Sequence, residues 1–436
     1  MGFLAIRFRH RLRHLPALAL AAAALAVLPA APALAAPAAV TTDPGPYPAA
    51  QDFYAPPTGL SALANGDVIR YQDSAVAYLG VPAKRIMYKS TDVNNNAVAV
   101  TGTLLLPPAP WQASAQRPLV SFAVGTIGQG DQCAPSKLFN QGLEYEAATI
   151  FPMLAAGVAV VVTDYQGLGT PDRVHTYVNR VDEAHAVLDA AIAAQQLSGL
   201  TRLGIPTDGP VGIYGYSQGG GASAAAAELQ PSYAPRLNLR GAAVGAPPAD
   251  LAKVAGQIDG TVLTGAVGYT INSLIQDYPQ VVAPLSTLLN QRGKDVLAAT
   301  KGQCVAETAL RFGFQQTRDF TVSGDPVTTF LGTEPFKSIV AAQRIGNSTP
   351  TAPVYIWQGR NDDLIPFAQS LQLAKDWCDK HASVQFKEYD IPAVFPGFAV
   401  GHALPAVLGL PEAQGWLYQR FVGAPATSSC GSLPSA

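Results

Sequence analysis

The chain reads as an α/β protein with a mostly parallel central sheet, helices on both faces and a helical insertion between two late strands. Three observations point to it. From about residue 98, short β-branched runs alternate with helix-forming stretches, as parallel βαβ units require. Several of those runs are apolar throughout, the pattern of strands covered on both sides. The alternation stops after Ala246-Pro247-Pro248 and resumes near Pro353, leaving roughly a hundred residues without strand signals, too long for a plain loop.

Taken in order, residues 1–35 read as a secretory signal peptide. Arg7, Arg9, Arg11 and Arg13 make a basic head, Leu15–Leu28 an apolar run, and Ala33-Leu34-Ala35 a small-x-small cleavage site. Pro16, Pro29 and Pro32 interrupt that stretch and argue against a membrane anchor. Residues 36–84 read as a lead-in, rich in Pro and Ala over 36–57 (Pro44, Pro46, Pro48, Pro56, Pro57) and extended over the surface there. The first part of the core, 85–249, holds strand candidates Val98–Leu106, Leu119–Val124, Val158–Thr163, Val211–Tyr216 and Gly241–Gly245, with helices over Glu183–Gln196 and Gly219–Leu229. Residues 250–350 form the insertion; apolar stretches at Val262–Val267, Leu285–Leu289 and Val296–Ala299 make it a packed helical cap. The second part of the core, 351–436, supplies strands Val354–Gln358 and Val384–Tyr389 and a helix from near Phe367 to Cys378.

Composition narrows the class. The 436 residues are 48% hydrophobic and 13% charged, which excludes a disordered chain. The formal charge of −2 conceals the basic head; the body beyond it is mildly acidic with no basic stripe, so nucleic acid is not the expected partner. Beyond the leader no apolar run approaches ~20 residues, so no integral membrane segment is expected after processing. Export to an oxidising compartment lets Cys133, Cys304, Cys378 and Cys430 form two disulfides, in any of three connectivities.

One motif carries chemistry: Gly215-Tyr216-Ser217-Gln218-Gly219-Gly220, preceded by Val211-Gly212-Ile213-Tyr214 and followed by an Ala-rich helix. A strand running through G-x-S-x-G into a helix is the context of a nucleophile elbow. Glycines at 215 and 219 let the backbone close around a strained serine. The helix start then offers the Gln218 N–H to a developing oxyanion. A serine needs a base, and beyond the leader the histidines are His175, His185, His381 and His402. The order Ser, acid, His places the first two too early. His381 ends a charged helix (Lys375, Asp376, Asp379, Lys380); His402 lies in a loop after the last strand and is the candidate base. The acid is expected after Val354–Gln358, where Asp362 and Asp363 stand side by side; Asp250 is an outside candidate.

These residues resemble the secretory lipases of the fungal lipase A type and their actinobacterial relatives. The likeness runs from about 85 to 430 through Cys133-Ala134-Pro135-Ser136, Asp164-Tyr165-Gln166-Gly167-Leu168-Gly169, the serine elbow and Asp362-x-Leu-Ile-Pro366. It ends with His402, Gly409-Leu-Pro and Trp416-Leu-Tyr-Gln-Arg420-Phe421. The resemblance implies an α/β-hydrolase fold with a helical cap and selects Asp362 as the acid. It also implies disulfides Cys133–Cys304 and Cys378–Cys430. The second oxyanion donor is expected from Gly125-Thr126-Ile127-Gly128, after the strand Leu119–Val124, with the Thr126 N–H as candidate.

The resulting expectation is an exported serine carboxylic-ester hydrolase, a triacylglycerol lipase or broad acyl esterase. Ser217 would attack, His402 take its proton and Asp362 orient the imidazole. No metal or organic cofactor is called for. The expected partner is a lipid or small-molecule ester, met in solution or at a lipid–water interface. A serine aminopeptidase using the same triad and a noncatalytic binding protein on a hydrolase scaffold are the alternatives. The acyl-serine could also pass its acyl group to an alcohol.

Overall fold

The computed structural model describes residues 46–48, 52–76 and 80–435. The signal-peptide expectation for 1–35 lies outside the described residues, as does much of the Pro-rich stretch after it. The strands are β1 (Val68–Ala75), β2 (Pro82–Thr91), β3 (Ala97–Leu105), β4 (Leu119–Ala123), β5 (Ala159–Thr163), β6 (Val211–Tyr216), β7 (Leu239–Gly245), β8 (Val354–Gly359) and β9 (Val384–Tyr389). They form one sheet in the order β1-β2-β3-β5-β4-β6-β7-β8-β9. The seven expected strands all form, each within a residue or two of its expected ends.

Two expectations need correction. The lead-in 36–84 contains β1 and the start of β2, and Phe53 packs with Ile69, Met87 and Ala99 in a small core of its own. β3, expected to open the parallel alternation, instead pairs antiparallel with both β2 and β5. Charged side chains hide β1 and β2 from a hydrophobicity reading. Arg70 is buried with its guanidinium over the Tyr47 ring and donating to the Phe53 carbonyl at 3.3 Å, while Lys84, Arg85 and Lys89 punctuate β2.

The helices are α1 (Pro135–Gln141), α2 (Ala147–Ala155), α3 (Arg180–Thr201), α4 (Gln218–Tyr233), α5 (Leu251–Ile258), α6 (Ala266–Asp277), α7 (Val282–Leu288), α8 (Gln291–Thr300), α9 (Val305–Phe312), α10 (Phe336–Ala342), α11 (Phe367–Asp379) and α12 (Val400–Phe421). The two-residue period of β6 shows that both sheet faces are covered. A Cβ on Gly212 would point at Leu417 and Phe421 of α12, whereas one on Gly215 would point at Gly219 and Ser223 of α4. α4 therefore packs closely through its buried Ala222–Ala227 run on the face opposite α12.

α5 to α10 lie between β7 and β8 as the helical insertion expected there. The insertion has its own apolar cluster, including Leu274, Val281, Leu285 and Phe336. Its neck is closed by the Ile345 N–H donating to the Ala249 carbonyl at 3.0 Å. From β5 to β9 every neighbouring pair is parallel, and β4 sits between β5 and β6. The chain thus steps from β4 to β5 on one side and then crosses to β6 on the other, and the crevice at the carboxyl ends of β4 and β6 is where such sheets place ligands.

Candidate active site

Ser217 sits between β6 and α4 at φ 59° and ψ −123°, a left-handed backbone that a side-chain-bearing residue adopts only under strain. Its N–H donates to the Gly245 carbonyl at 3.0 Å and its carbonyl accepts from Gly221 N–H at 3.0 Å. The glycines are steric necessities. A Cβ at 215 would lie 2.2 Å from the Gly219 carbonyl oxygen, and one at 219 would lie 2.0 Å from that of Ala123. Gly220 is equally constrained, with the Gly245 carbonyl oxygen 1.9 Å from a Cβ placed there.

The Asp362 Oδ2 stands 2.7 Å from His402 Nδ1. Its carboxylate is buried and held on the remaining sides. Oδ1 accepts from the N–H groups of Leu364 and Ile365 at 2.9 Å each, and Oδ2 from Gln358 Nε2 at 2.9 Å. With Nδ1 donating to a carboxylate, the imidazole presents the lone pair of Nε2 outward. His402 does not lie in a loop, as the sequence suggests, but in the first turn of α12. Gly401 looks like a helix breaker, yet at the helix start its N–H has no intrahelical partner to lose; Pro405 stands further in and leaves the Gly401 carbonyl without its usual donor. Asp363 supplies acceptors for N–H groups at this start: Oδ2 accepts from Gly397 and Ala399 N–H at 2.9 Å each, and Oδ1 from His402 N–H at 3.1 Å.

Tyr216, the residue before the elbow serine, touches His402 twice. Its hydroxyl donates to the His402 carbonyl at 2.7 Å, and the two ring centroids are 5.0 Å apart. Among the described residues the Ser217 hydroxyl makes no hydrogen bond, to the imidazole or to any other group, so it is unengaged. Asp250 is placed elsewhere, capping α5 through Lys253 N–H at 3.3 Å.

The N–H groups of Gln218 and Thr126 likewise have no acceptor among the described residues, and both residues border the same cavity as Ser217. That cavity, about 110 Å³, is roofed by Leu251, Val254, Ile258, Ile271 and Leu285 of the insertion, with Leu364 and Ile365 on the core side. The Thr126 loop is tied to the insertion. Val305 N–H donates to the Ile127 carbonyl at 2.9 Å, Gln129 N–H to the Gln303 carbonyl at 3.0 Å, and Cys133 is disulfide-bonded to Cys304. Cys378 pairs with Cys430.

Behind the elbow lies a buried polar group that no sequence pattern announces. Gln218 Nε2 donates to Glu183 Oε1 at 2.7 Å and faces His175 Nε2 at 3.1 Å; Glu183 also accepts from Val178 N–H at 2.8 Å. Burial pushes the Glu183 carboxyl up to about 8 and His175 down to about 4. His185, with Nδ1 on the Thr91 carbonyl at 2.6 Å and its ring stacked on Tyr233, is likewise held down to about 4 by burial. His381 follows α11 on the surface. Neither His175, His185 nor His381 bonds to Ser217 or Asp362.

A strained serine between strand and helix and a histidine–aspartate pair after the later strands sit on the sheet as the α/β-hydrolase fold arranges them. Solved structures share the architecture. Closed-state Candida antarctica lipase A superposes with a TM-score of 0.74 at 23% identity, covering 88% of this chain and 89% of its own. The rice cell wall degrading esterase LipA of Xanthomonas oryzae gives 0.68 at 17% identity, covering 82% and 100%. Residues 133–429 match the secretory lipase model, and the chain belongs to that family. A Malassezia restricta secreted triacylglycerol lipase is 28% identical over 86% of this chain and 79% of its own. Lipase 2 of Candida albicans is 29% identical over 87% and 82%. A Mycobacterium tuberculosis protein named a probable inactive lipase is 29% identical over 87% and 84%.

Proposed function

We propose that the protein is a secreted triacylglycerol lipase or long-chain acyl esterase that works through an acyl-serine. Ser217 Oγ attacks the ester carbonyl while His402 Nε2 takes its proton. Asp362 fixes the imidazole and stabilises the imidazolium that forms. The N–H groups of Gln218 and Thr126 receive the oxyanion, each worth roughly 10²–10³ in turnover in comparable sites. His402 returns the proton to the leaving alcohol, then draws one from water so that hydroxide equivalent attacks the acyl-serine and frees the acid.

The observation that carries this reading is the cavity bordered by Ser217, Gln218 and Thr126 and walled by apolar side chains of the insertion. An extended acyl chain fits such walls, whereas a peptide would leave its backbone amides unpaired there. The Phe314 and Phe398 rings meet at a tilt with centroids 4.6 Å apart and, with Phe395, leave aromatic surface exposed, which suits a lipid–water interface. Two disulfides and relatives named as secreted support export.

A noncatalytic reading draws on the unengaged Ser217 hydroxyl and on the relative named a probable inactive lipase. Labelling by a fluorophosphonate, lost in Ser217→Ala, together with a nitrophenyl-ester series rising toward long acyl chains, is the expected result. Failure to label, or turnover surviving in Ser217→Ala, would overturn the proposal; preference for aminoacyl anilides would move it to the peptidases.

A further inference from the structure

The Thr126 N–H belongs to the middle of three consecutive peptide units, and the outer two are clamped. In the first, the Val124 carbonyl accepts from the Tyr165 hydroxyl at 2.8 Å and Gly125 N–H donates to Glu146 Oε2 at 2.6 Å. In the third, the Thr126 carbonyl accepts from the Tyr145 hydroxyl at 3.2 Å, and in the unit after it the Ile127 carbonyl accepts from Val305 N–H at 2.9 Å. The middle unit, Gly125–Thr126, has no clamp on its N–H.

Gly125 explains why a clamp is needed. A Cβ there would lie 2.8 Å from the Tyr145 hydroxyl, so any other residue would push that hydroxyl from its place beside the Thr126 carbonyl. Glycine also removes the steric barrier to rotating the adjoining peptide. A turned-over Gly125–Thr126 unit would present a carbonyl oxygen where an oxyanion has to be received.

We propose that Glu146 is a positioning residue: its carboxyl, by holding Gly125 N–H, keeps the Thr126 N–H directed at the carbonyl attacked by Ser217. This deepens the ester-hydrolase reading and rests on it. Glu146 is buried beside Glu144, whose carboxyl oxygens have no hydrogen-bond partner, so the pair lies in a poorly solvated pocket. Burial and the neighbouring Glu144 hold the Glu146 carboxyl well above the ordinary carboxylate range. A glutamine, with a carbonyl oxygen at the same reach, is then a close substitute.

The test measures kcat and KM separately for Glu146→Leu, Glu146→Asp and Glu146→Gln on a soluble nitrophenyl ester, with Ser217→Ala alongside and Tm recorded for each. Leu loses the acceptor, and Asp withdraws it by one methylene while keeping the carboxyl group. Both should lower kcat by ~10–100-fold, a fraction of a full oxyanion donor, with KM within about threefold. Gln should recover kcat to within about fivefold of the parent. Undiminished kcat in a folded Leu or Asp variant would overturn the role, as would a Gln variant as slow as Leu. If Leu fails to fold, Asp against Gln decides. Activity persisting in Ser217→Ala would instead sink the nucleophile reading, a separate failure.

Discussion

Asp363 accepts the main-chain N–H of His402 at 3.1 Å, while its neighbour Asp362 accepts the imidazole N–H of the same residue at 2.7 Å. Two adjacent carboxylates thus hold one histidine, one by its backbone and one by its ring. They should separate cleanly on mutation. Asp362→Asn keeps the shape but favours the wrong imidazole tautomer, and kcat should fall by ~10⁴-fold with little change in KM. Asp363→Ala leaves three N–H groups at the start of α12 without their acceptor; Tm should drop, by the equivalent of ~1–3 kcal/mol, and kcat by only about tenfold. Equal losses of kcat in the two variants would contradict this division.

The cavity gives a second prediction, about chain length. Ala255 on α5 lines it with little side chain of its own. Ala255→Trp should fill part of the acyl space, cutting kcat/KM for long-chain esters while sparing short ones, at a packing cost of ~1–3 kcal/mol. A chain-length profile that keeps its maximum would place the acyl group elsewhere.

Much of this architecture is legible in the sequence because short-range rules govern it. The elbow's glycines, the apolar strands and the strandless insertion each follow from local sterics or periodicity. The antiparallel edge is less so: Arg70 and Lys89 are buried through long stems and specific partners, not through apolar character. His402 reads as a loop residue because it follows the last strand, whereas the helix start depends on Asp363, distant in the chain. Asp362 and Asp363 cannot be told apart by residue type; the fold assigns them different hydrogens. Glu146 and Glu183 carry no local signature, since what matters about each is a partner 21 and 35 residues away, respectively.

Buried Glu183 gives a pH prediction with a definite sign. Its carboxyl is raised from the ordinary 4.5 to about 8, so between those values the folded chain holds a proton that the unfolded chain has released. Its contribution to stability is therefore complete below about pH 4.5 and is lost as pH rises through 8. His175, lowered to about 4, acts oppositely at more acid pH, which is why a difference measurement is needed. Glu183→Gln mimics the protonated acid and keeps an acceptor for Gln218. The stability of the parent minus that of the variant should decline from pH 5 to 8, by at most about 1.4 kcal/mol per pH unit. A flat difference would mean that Glu183 is ionised in the folded protein.

The two disulfides should differ in what they protect. Cys133–Cys304 spans 171 residues and Cys378–Cys430 spans 52, and chain entropy alone assigns each about 4–5 kcal/mol. Stability losses should thus be similar for Cys304→Ser and Cys430→Ser. Catalysis should not be. Cys304 lies against Gly128, where an added Cβ would come within 2.5 Å of its Cα, and the next N–H holds the Ile127 carbonyl. Breaking that bond loosens the loop carrying the Thr126 N–H, so Cys304→Ser should lose kcat at temperatures well below its Tm. Cys430 pins the chain terminus to α11, far along the sheet from β4, so Cys430→Ser should lower Tm with kcat near that of the parent. If Cys304→Ser retains full kcat below its transition, the oxyanion loop holds its shape without the bond to the insertion.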